Sequence, residues 1–454
     1  MITEYQFDSP HAAALHDRIT NREARTGVIG LGYVGLPLTV EFGRAGFTVV
    51  GIDVDRLKCD AINAGKSHID YLPAAEIAAL CSAGRLVAVT DIAAAEPLDT
   101  ISICVPTPLS KTKDPDLSYV VSAAHAIRAH LRPGMLIVLE STTYPGTTEE
   151  LLKNILEGTG LKAGTDFFLA YAPERVDPAL PGSALRPRVV GGLTSDCSAL
   201  AVALYGAVVE RIVPVSSPRA AEMTKLLENT FRAVNIGLVN EMALMCERIG
   251  INIWEVIEAA ATKPAGFMPF FPGPGLGGHC IPIDPFYLSW KVREVGFEAR
   301  FIDLAGQVNG DMPRHVVGKI ADALNAYGKA VKGSNVLILG VSYKRDISDI
   351  RESPALEVMA MLRTKGALVA YHDPFVPQIE AEQWPGGQRM HSATYSSAAL
   401  RAADCVVLIT AHTDFDYDDI LSNAQVVVDT QDAFKAPGPK VFKLGAPNPT
   451  TSRN

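Results

Sequence analysis

The sequence has no paired cysteines, no long apolar run and no excess of positive charge. Its seven cysteines, at positions 59, 81, 104, 197, 246, 280 and 405, are odd in number, scattered and never arranged as C-x-x-C. That pattern is typical of a reducing compartment and not of a disulfide framework. No window reaches the roughly 18 apolar residues of a transmembrane helix. Residues 1–24 lack the apolar stretch of a signal peptide, so we predict a cytoplasmic protein with a polar N-terminal extension.

The charge balance argues against two further classes of partner. The chain carries 41 Lys and Arg against 50 Asp and Glu, a formal net charge of -9. A net negative charge disfavours general binding to nucleic acid or to an anionic membrane surface, although a local basic pocket for a small anion remains compatible with it. With 48% apolar and 20% charged residues over 454 positions, the chain has the composition of a soluble globular protein of about two to four domains.

A strand, a glycine turn and a helix follow one another from residue 26. Gly30, Gly32 and Gly35 are spaced G-x-G-x-x-G, and Asp53 ends the next apolar strand. Glycines at such a turn let a pyrophosphate approach the helix N-terminus. An acidic residue at Asp53 suits the ribose hydroxyls of NAD and repels the 2′-phosphate of NADP; the alternative is a structural turn with a surface carboxylate. The predicted NAD contacts in this unit are Gly30, Gly32, Tyr33, Val34, Gly35 and Asp53.

The same alternation of strands and helices continues and then restarts. Apolar strand candidates lie at 86–89, 100–105, 136–140, 167–171 and 188–191, and again at 335–340, 367–373, 404–410 and 424–429. Between the two sets, 219–249 is a proline-free run long enough for a helix of about 45 Å. The pattern predicts an α/β protein with two Rossmann-like, doubly wound domains joined by a central helical domain. The predicted boundaries are 1–24 (extension), 25–215 (NAD-binding domain), 216–328 (central domain), 329–436 (C-terminal domain) and 437–454 (a loosely held tail).

Cys280 differs from the other six cysteines, which we interpret as small buried apolar residues. It follows the Gly- and Pro-rich loop 271–278 and precedes a helix start at which Asp284 would be the N-cap and Pro285 the first helical residue. The positive end of a helix favours a thiolate nearby. A metal site is disfavoured, because His279 and Cys280 are adjacent and no second pair stands at metal-ligand spacing. The alternative for Asp284 is that it only caps the helix.

Three more polar residues are candidates for the same chemistry. Lys225 and Asn229 are four residues apart on the predicted long helix and project from one face. By themselves they fit an exposed polar stripe, but beside a pocket they would stabilise an oxyanion. Glu174 comes just after a strand, at the sheet edge where ligands bind; the alternative is an ordinary loop carboxylate.

The ordered set of motifs resembles the UDP-glucose/GDP-mannose dehydrogenase family over residues 25–435. The motifs are GLGYVGLP at 30–37, VPT at 105–107, ST at 141–142, APER at 172–175, K-x-x-x-N at 225–229, GGHC-x-x-x-D at 277–284, YKRD at 343–346 and RESP at 351–354. Within the family, residues 272–287 are most similar to the UDP-N-acetylglucosamine 6-dehydrogenase branch. One departure is Pro178, which stands where the UDP-glucose branch has a second glutamate.

The resemblance implies that two NAD in succession oxidise a sugar C6 alcohol to a carboxylate. Cys280 would add to the aldehyde and pass through a thiohemiacetal and a thioester. Lys225 and Asn229 would stabilise the oxyanion, and Asp284 would position or activate water with Thr142 and Glu174. Further implied NAD contacts are Lys58, Thr107, Thr142 and Arg351. The implied substrate contacts are Glu174, Lys225, Asn229, Phe271, Gly277 and Lys344. The C-terminal domain, which lacks a G-x-G-x-x-G motif, would hold UDP.

Several alternatives remain open at this point. The same chemistry could act on UDP-glucose, UDP-N-acetylgalactosamine or UDP-N-acetylmannosamine. A two-electron β-hydroxyacid dehydrogenase would share the Rossmann domain and the helical lysine but needs no thiol. A protein that binds a nucleotide-sugar or NAD without turnover is a third reading. The long helix is either the interface of a homodimer or higher homo-oligomer, or part of an intramolecular core.

Overall fold

A computed structural model describes residues 6–69, 71–95, 97–110, 114–175, 187–278, 280–435 and 438–449. The chain divides into two compact units. The first is Met1–Glu228 with Trp290–Phe297, and the second is Asn229–Ser289 with Glu298–Asn454. The predicted division into three domains remains a prediction.

The first unit is built on an eight-stranded sheet in the order β3-β2-β1-β4-β5-β6-β7-β8. All neighbouring strands are parallel except β6 and β7, which are antiparallel. The order of its first six strands is that of a doubly wound dinucleotide-binding sheet. The strands are β1 Arg25–Ile29, β2 Thr48–Ile52, β3 Leu86–Val89, β4 Thr100–Ile103, β5 Leu136–Leu139, β6 Phe168–Tyr171, β7 Arg188–Gly192 and β8 Ile212–Val215.

Helices cover both faces of this sheet, so its central strands are buried along their whole length. Every residue of β4, β5 and β6 is buried, which is typical of parallel strands enclosed by helices. The side chains on the two faces form two separate apolar clusters. The helices are α1 Pro10–Thr20, α2 Gly35–Arg44, α3 Arg56–Asn63, α4 Ala74–Ser82, α5 Ser118–Arg128, α6 Lys153–Glu157 and α7 Ser195–Tyr205.

The second unit contains a smaller, wholly parallel sheet in the order β10-β9-β13-β14-β15. Its strands are β9 Asn335–Leu339, β10 Leu368–His372, β13 Cys405–Leu408, β14 Val427–Asp429 and β15 Val441–Lys443, with β11 Gln378–Ile379 and β12 Met390–His391 as a separate ribbon. The remaining helices, which include those of this unit, are α8 Pro218–Ile249, α9 Ile253–Ala261, α10 Asp284–Arg293, α11 Arg300–Ala326, α12 Pro354–Thr364, α13 Ser397–Ala402 and α14 Tyr417–Asn423. The predicted fold class is confirmed, and the long helix predicted at 219–249 is α8.

Two terminal segments differ from the predictions. Residues 1–24 were assigned to an extension, yet α1 buries Ala12, Leu15 and Ile19 in the apolar cluster on one face of the first sheet. The spacing of these three residues is helical, but the charged residues between them hide the apolar face in the sequence. The prediction of a loosely held tail from residue 437 is wrong for Val441–Lys443, because this segment is β15 and pairs with β14.

No helix in the described ranges combines the length and the apolar character needed to cross a membrane.

Candidate active site and cofactor site

The three glycines of the turn after β1 have different surroundings. Two of them leave no room for a side chain, and the third faces open space. Gly30 has φ +92°, and a Cβ there would lie 2.5 Å from the Cys104 carbonyl oxygen. A Cβ on Gly35 would lie 1.8 Å from the Gly30 carbonyl oxygen. A Cβ on Gly32 meets nothing within 4 Å. The first two glycines therefore allow the chain to fold, while the open side of Gly32 fits the approach of a pyrophosphate to the start of α2.

Asp53 follows β2, and its side chain is hydrogen-bonded to the backbone of the same turn. Its side chain is 8% exposed. Its Oδ2 accepts a hydrogen bond from the backbone N–H of Leu31 at 2.8 Å, and its Oδ1 accepts one from Asp55 N–H at 3.0 Å. Lys58 Nζ lies 3.5 Å from Asp53 Oδ2. A carboxylate accepts about four hydrogen bonds, so the predicted contact with a ribose hydroxyl is compatible with this structural role.

The other predicted NAD residues of the first unit lie at the carboxyl ends of its strands. Thr107 follows β4 and is buried, whereas Thr142 follows β5 and is half-buried. Ser141 Oγ donates to the Val105 carbonyl at 2.8 Å, which ties these two segments together. Tyr33 is 39% exposed, and its carbonyl accepts a hydrogen bond from Tyr71 Oη. These positions line the edge at which ligands of such sheets bind.

Lys225 and Glu174 lie together in the first unit. Lys225 is buried, and its Nζ donates to the Glu174 carbonyl oxygen at 2.5 Å. The next residue, Arg175, pairs with Glu228 of α8, with Nε 3.2 Å from Glu228 Oε2. The loop after β6 is therefore held to α8 at two consecutive residues. Burial of Lys225 excludes the alternative of an exposed polar stripe.

A buried ionic cluster behind Glu174 was not predicted. Arg188 at the start of β7 pairs with Glu140, which follows β5, and its Nη1 lies 3.7 Å from Glu174 Oε2. Tyr205 Oη donates to the second oxygen of Glu140 and lies 3.0 Å from Ser102 Oγ. Burial raises the pKa of Glu140 to about 7, against the opposing attraction of Arg188. The sequence shows each of the two charges at the end of an otherwise apolar strand, but it holds no local signal that they pair.

Cys280, Asp284 and Asn229 lie in the second unit. Cys280 is exposed, whereas the other six cysteines are buried or half-buried. Its carbonyl accepts the backbone N–H of Asp284 at 2.9 Å. Asp284 is 1% exposed and accepts a hydrogen bond at Oδ2 from Asn229 Nδ2 at 2.5 Å. Asp284 is the first residue of α10, one position from the predicted start, which is the usual uncertainty of a helix boundary.

The loop before Cys280 packs against the segment that carries two predicted ligand contacts. A Cβ on Gly277 would lie 2.5 Å from the Tyr343 Cβ, so only glycine fits there. Gly278 N–H donates to the Arg351 carbonyl at 2.9 Å. The Arg351 guanidinium pairs with Asp349, with Nη2 2.6 Å from Oδ2. Gly277, Arg351 and the loop of Lys344 are therefore neighbours within one unit.

The start of the Cys280 loop is anchored by amides that the sequence did not single out. Asn240 Oδ1 accepts the N–H of Gly273 at 2.9 Å, and its Nδ2 donates to Asn309 Oδ1 at 2.9 Å. Both asparagines are buried. Phe271 is 51% exposed, and its ring stacks on Trp254 with centroids 6.0 Å apart. Pro178 and His279 lie outside the described residues.

The second sheet repeats the arrangement of the first around Asp373. Gly340 after β9 has φ +78°, and Asp373 after β10 accepts the N–H groups of Val341 and Ser342 at 2.7 and 3.1 Å. His412 Nε2 lies 3.1 Å from Asp373 Oδ2. These contacts hold the start of the loop that leads to Lys344, which is half-buried. The strand ends of this sheet thus form a second candidate nucleotide site.

Among the residues that the structure describes, no group of three or more His, Cys, Asp or Glu side chains is arranged to hold a metal ion.

Family models match three consecutive parts of the chain. Residues 24–209 match the NAD binding domain of the UDP-glucose/GDP-mannose dehydrogenase family, residues 219–311 its central domain and residues 337–436 its UDP binding domain. The chain belongs to this family. It is accordingly an NAD-dependent nucleotide-sugar dehydrogenase whose substrate is a UDP-sugar.

Relatives of this dehydrogenase carry names that specify amino sugars. The chain is 36% identical over 442 residues to an NDP-N-acetyl-D-galactosaminuronic acid dehydrogenase of Ralstonia nicotianae, covering 92% of this chain and 99% of that protein. It is 35% identical over 397 residues to a UDP-N-acetyl-D-mannosamine dehydrogenase of Pyrococcus horikoshii, covering 86% and 90%. A solved structure of UDP-D-ManNAc dehydrogenase from Pyrococcus horikoshii is similar with a TM-score of 0.84 at 33% identity, covering 93% of this chain and 99% of that one.

The different surroundings of Gly32 and Gly35 predict different effects of alanine in this dehydrogenase. Gly32→Ala is expected to weaken NAD binding at least about tenfold, roughly 1.4 kcal/mol, and to leave the melting temperature of the NAD-free protein unchanged. Gly35→Ala is expected to lower that melting temperature as well, because its Cβ would meet backbone at 1.8 Å. Calorimetric NAD titration and thermal denaturation measure both effects. Unchanged NAD affinity in Gly32→Ala would exclude the proposed pyrophosphate position.

Proposed function

We propose that this dehydrogenase carries out a four-electron oxidation of the C6 hydroxyl of a UDP-N-acetylhexosamine to the uronic acid. The observation that supports it most is Cys280, an exposed cysteine after a glycine loop and four residues before Asp284, whose buried carboxylate accepts a hydrogen bond from Asn229. A two-electron alcohol oxidation would require no nucleophilic thiol. The exposure of Cys280 alone among the cysteines is therefore explained by the second oxidation.

The thiol solves a chemical problem of the second oxidation. An aldehyde carbon does not readily release a hydride, but the Cys280 thiolate can add to it and form a thiohemiacetal that does. Loss of hydride from this adduct leaves a thioester, which water cleaves to the carboxylate and the free thiol. When bound, NAD supplies the hydride acceptor for both oxidations.

The family resemblance assigns the remaining tasks to five polar residues. Lys225 and Asn229 stabilise the oxyanion, since a lysine ammonium carries three N–H groups and an amide two. Their contacts with the Glu174 carbonyl and the Asp284 carboxylate orient them. Asp284 positions or activates the water that attacks the thioester, together with Thr142 and Glu174.

Binding is assigned to the two Rossmann-like sheets. NAD is held by the turn at Gly30–Gly35, by Asp53 and Lys58 at the adenosine ribose, and by Thr107, Thr142 and Arg351. The UDP-sugar is held by the C-terminal sheet through Lys344 and by Phe271 and Gly277 of the Cys280 loop. These assignments follow the family resemblance, and the open side of Gly32 and the packing of Gly277 on Tyr343 support them.

The configuration of the sugar has two competing assignments. Residues 272–287 favour UDP-N-acetylglucosamine. The names of the relatives favour N-acetylmannosamine or N-acetylgalactosamine forms. All of these are UDP-N-acetylhexosamines, so the substrate class is common to both. A cytoplasmic location remains a prediction.

We expect two NADH for each sugar oxidised. Purified protein is to be incubated with NAD and limiting UDP-N-acetylglucosamine, UDP-N-acetylmannosamine, UDP-N-acetylgalactosamine or UDP-glucose, while NADH is followed at 340 nm and products by mass spectrometry. One N-acetylhexosamine is expected to give two NADH per sugar and a mass gain of one oxygen and loss of two hydrogens. One NADH per sugar would contradict the four-electron assignment, and turnover of UDP-glucose alone would contradict the substrate class.

Cys280→Ser is expected to abolish uronic acid formation, lowering kcat by at least about a thousandfold, because a serine hydroxyl stays protonated at neutral pH and is a far weaker nucleophile than a thiolate. Steady-state NADH production and product analysis measure this. Cys81→Ser is the matched control, since Cys81 is half-buried in the first unit and its thiol donates only to the Ile62 carbonyl among its described contacts. A Cys280→Ser enzyme that still formed acid at the normal rate would rule out the covalent route.

We propose further that two copies of the chain associate through α8. Five large apolar side chains lie on one face of this helix within the second unit and are 37% to 68% exposed: Phe231, Leu238, Met242, Met245 and Ile249. Their spacing of seven, four, three and four residues is that of a single helical stripe. Such a contiguous apolar stripe is typical of a protein interface, and a symmetric dimer would pack it against its own copy.

Leu238→Glu combined with Met245→Glu is expected to shift the protein from dimer to monomer, since two buried carboxylates in each copy would face one another. Multi-angle light scattering measures the mass, and 48.5 kDa is that of one chain. Lys365→Glu, an exposed charge change on α12's C-terminal side, is the control and is expected to leave the dimer intact. A wild-type mass of one chain would contradict the proposal directly.

A further inference from the structure

The buried ion pair of Arg188 and Glu140, which lies next to Glu174, has no part in the roles assigned so far. Burying charged groups costs free energy, because they lose their contacts with water. Arg188 is 7% exposed and Glu140 1% exposed. A buried ion pair seldom adds net stability, because desolvation of both charges offsets their attraction. Perturbed, buried titratable groups at the ligand-binding edge of a sheet are candidates for function.

Arg188 contacts the loop of Glu174 at two places. Its Nη1 lies 3.7 Å from Glu174 Oε2, and its Nη2 lies 3.4 Å from the Ala172 carbonyl oxygen. The same Nη2 pairs with Glu140. One planar guanidinium therefore joins the end of β5 to both ends of the loop segment after β6, and only arginine offers this fork of donors.

The orientation of Arg188 is itself fixed from two sides. Its guanidinium carbon lies 4.3 Å from the centre of the Tyr205 ring. Tyr205 Oη donates to the Glu140 oxygen that Arg188 does not contact, and Ser102 Oγ lies 3.0 Å from Tyr205 Oη. The order of contacts is thus Ser102, Tyr205, Glu140, Arg188 and Glu174. We call this set the Arg188 network.

We propose that Arg188 is a positioning residue for the Glu174 carboxylate, and that Glu140 and Tyr205 hold Arg188 in the orientation that this requires. The inference rests on the proposed function, in which Glu174 takes part in the attack of water on the Cys280 thioester. In that step the water oxygen bonds to the thioester carbon, the carbon–sulfur bond breaks, and the thiolate leaves. The proton of the water passes to the carboxylate that faces it.

The hold of Glu140 on Arg188 depends on the charge of Glu140. Ionised Glu140 pairs with the guanidinium and fixes its orientation beside Glu174, whereas neutral Glu140 lacks this ionic attraction. The titratable groups that face Glu140 are Arg188, Tyr205, Glu174 and the Cys104 thiol. Since the pKa of Glu140 is raised to about 7, the hydrolysis rate is expected to rise as the pH passes upward through about 7.

The test separates thioester hydrolysis from the two oxidations. In Arg188→Met the oxidations remain and hydrolysis slows, so pre-steady-state NADH formation should show a burst of two NADH per active site. We expect kcat to fall about a hundredfold, in line with general acid–base contributions, while kcat/KM for the sugar stays within about threefold. Intact-mass analysis after acid quenching should find the UDP-uronyl thioester on Cys280. Arg188→Lys, which keeps the charge and loses the fork, should lie between Arg188→Met and the wild type.

Two further variants keep the proposal testable if Arg188→Met does not fold. Tyr205→Phe removes one hydroxyl and keeps the ring beneath the guanidinium, and it should show the same burst with about a tenfold smaller kcat. Glu140→Gln is permanently neutral and should lose the rise in kcat near pH 7 that the wild type shows. Arg219→Met is the control, because Arg219 forms an exposed pair with Glu149 and Glu150 on the protein surface, and no burst is expected.

The outcomes distinguish this inference from the function on which it rests. A wild type that oxidises no UDP-sugar would refute the proposed function. A wild type that gives two NADH per sugar, together with Arg188→Met and Tyr205→Phe enzymes that show no burst and no Cys280 adduct, would refute the role of Arg188 alone. A fall in kcat/KM equal to the fall in kcat would also refute it, since the defect would then precede hydrolysis.

Discussion

The ligand-binding edge of each Rossmann-like sheet depends on an equivalent hydrogen bond. A carboxylate at the end of the second strand accepts a backbone N–H at the end of the first strand. In the first unit Asp53 accepts Leu31 N–H at 2.8 Å, and in the second Asp373 accepts Val341 N–H at 2.7 Å. Each bond holds the chain at a glycine with positive φ, Gly30 or Gly340. The backbone is thereby turned away from the strand ends, which leaves that edge accessible to a ligand.

The chain segment that follows the first strand differs between the two units. In the NAD-binding unit a G-x-G-x-x-G turn leads straight into α2, and Gly32 keeps an open side. In the other unit His412 contacts Asp373, and its Nδ1 accepts the N–H of Asp346, so the proton lies on Nε2. The loop after β9 is therefore fixed by side chains instead of running directly into a helix. This difference matches a domain that binds UDP and one that binds a dinucleotide.

Much of the fold and many of the candidate residues follow from local pattern. The strands after residue 26 alternate with helices at a period that a parallel sheet requires, and the glycine turn has a steric reason at each position. Other features have no local signal. Arg188 is distant in sequence from Glu140, and their pairing depends on β7 entering the sheet beside β6. The apolar face of α1 was missed because charged residues interrupt it in the sequence, and the strand β15 was missed because it has only three residues. Each becomes buried only when the rest of its unit is present.

The amino-acid sequence by itself determined the fold class, the family, the NAD cofactor and the dehydrogenase class, because glycine spacing and short motifs depend on only a few neighbouring residues. Tertiary structure alone decided that Lys225 is buried against the Glu174 carbonyl, that Asn229 donates to Asp284, and that Arg188 lies between two carboxylates. These contacts join residues that are distant in the sequence, so they depend on the order of the strands in the sheet and on the packing of the helices against it. Burial then makes each such contact strong, because a charge removed from water must find its partner within the protein.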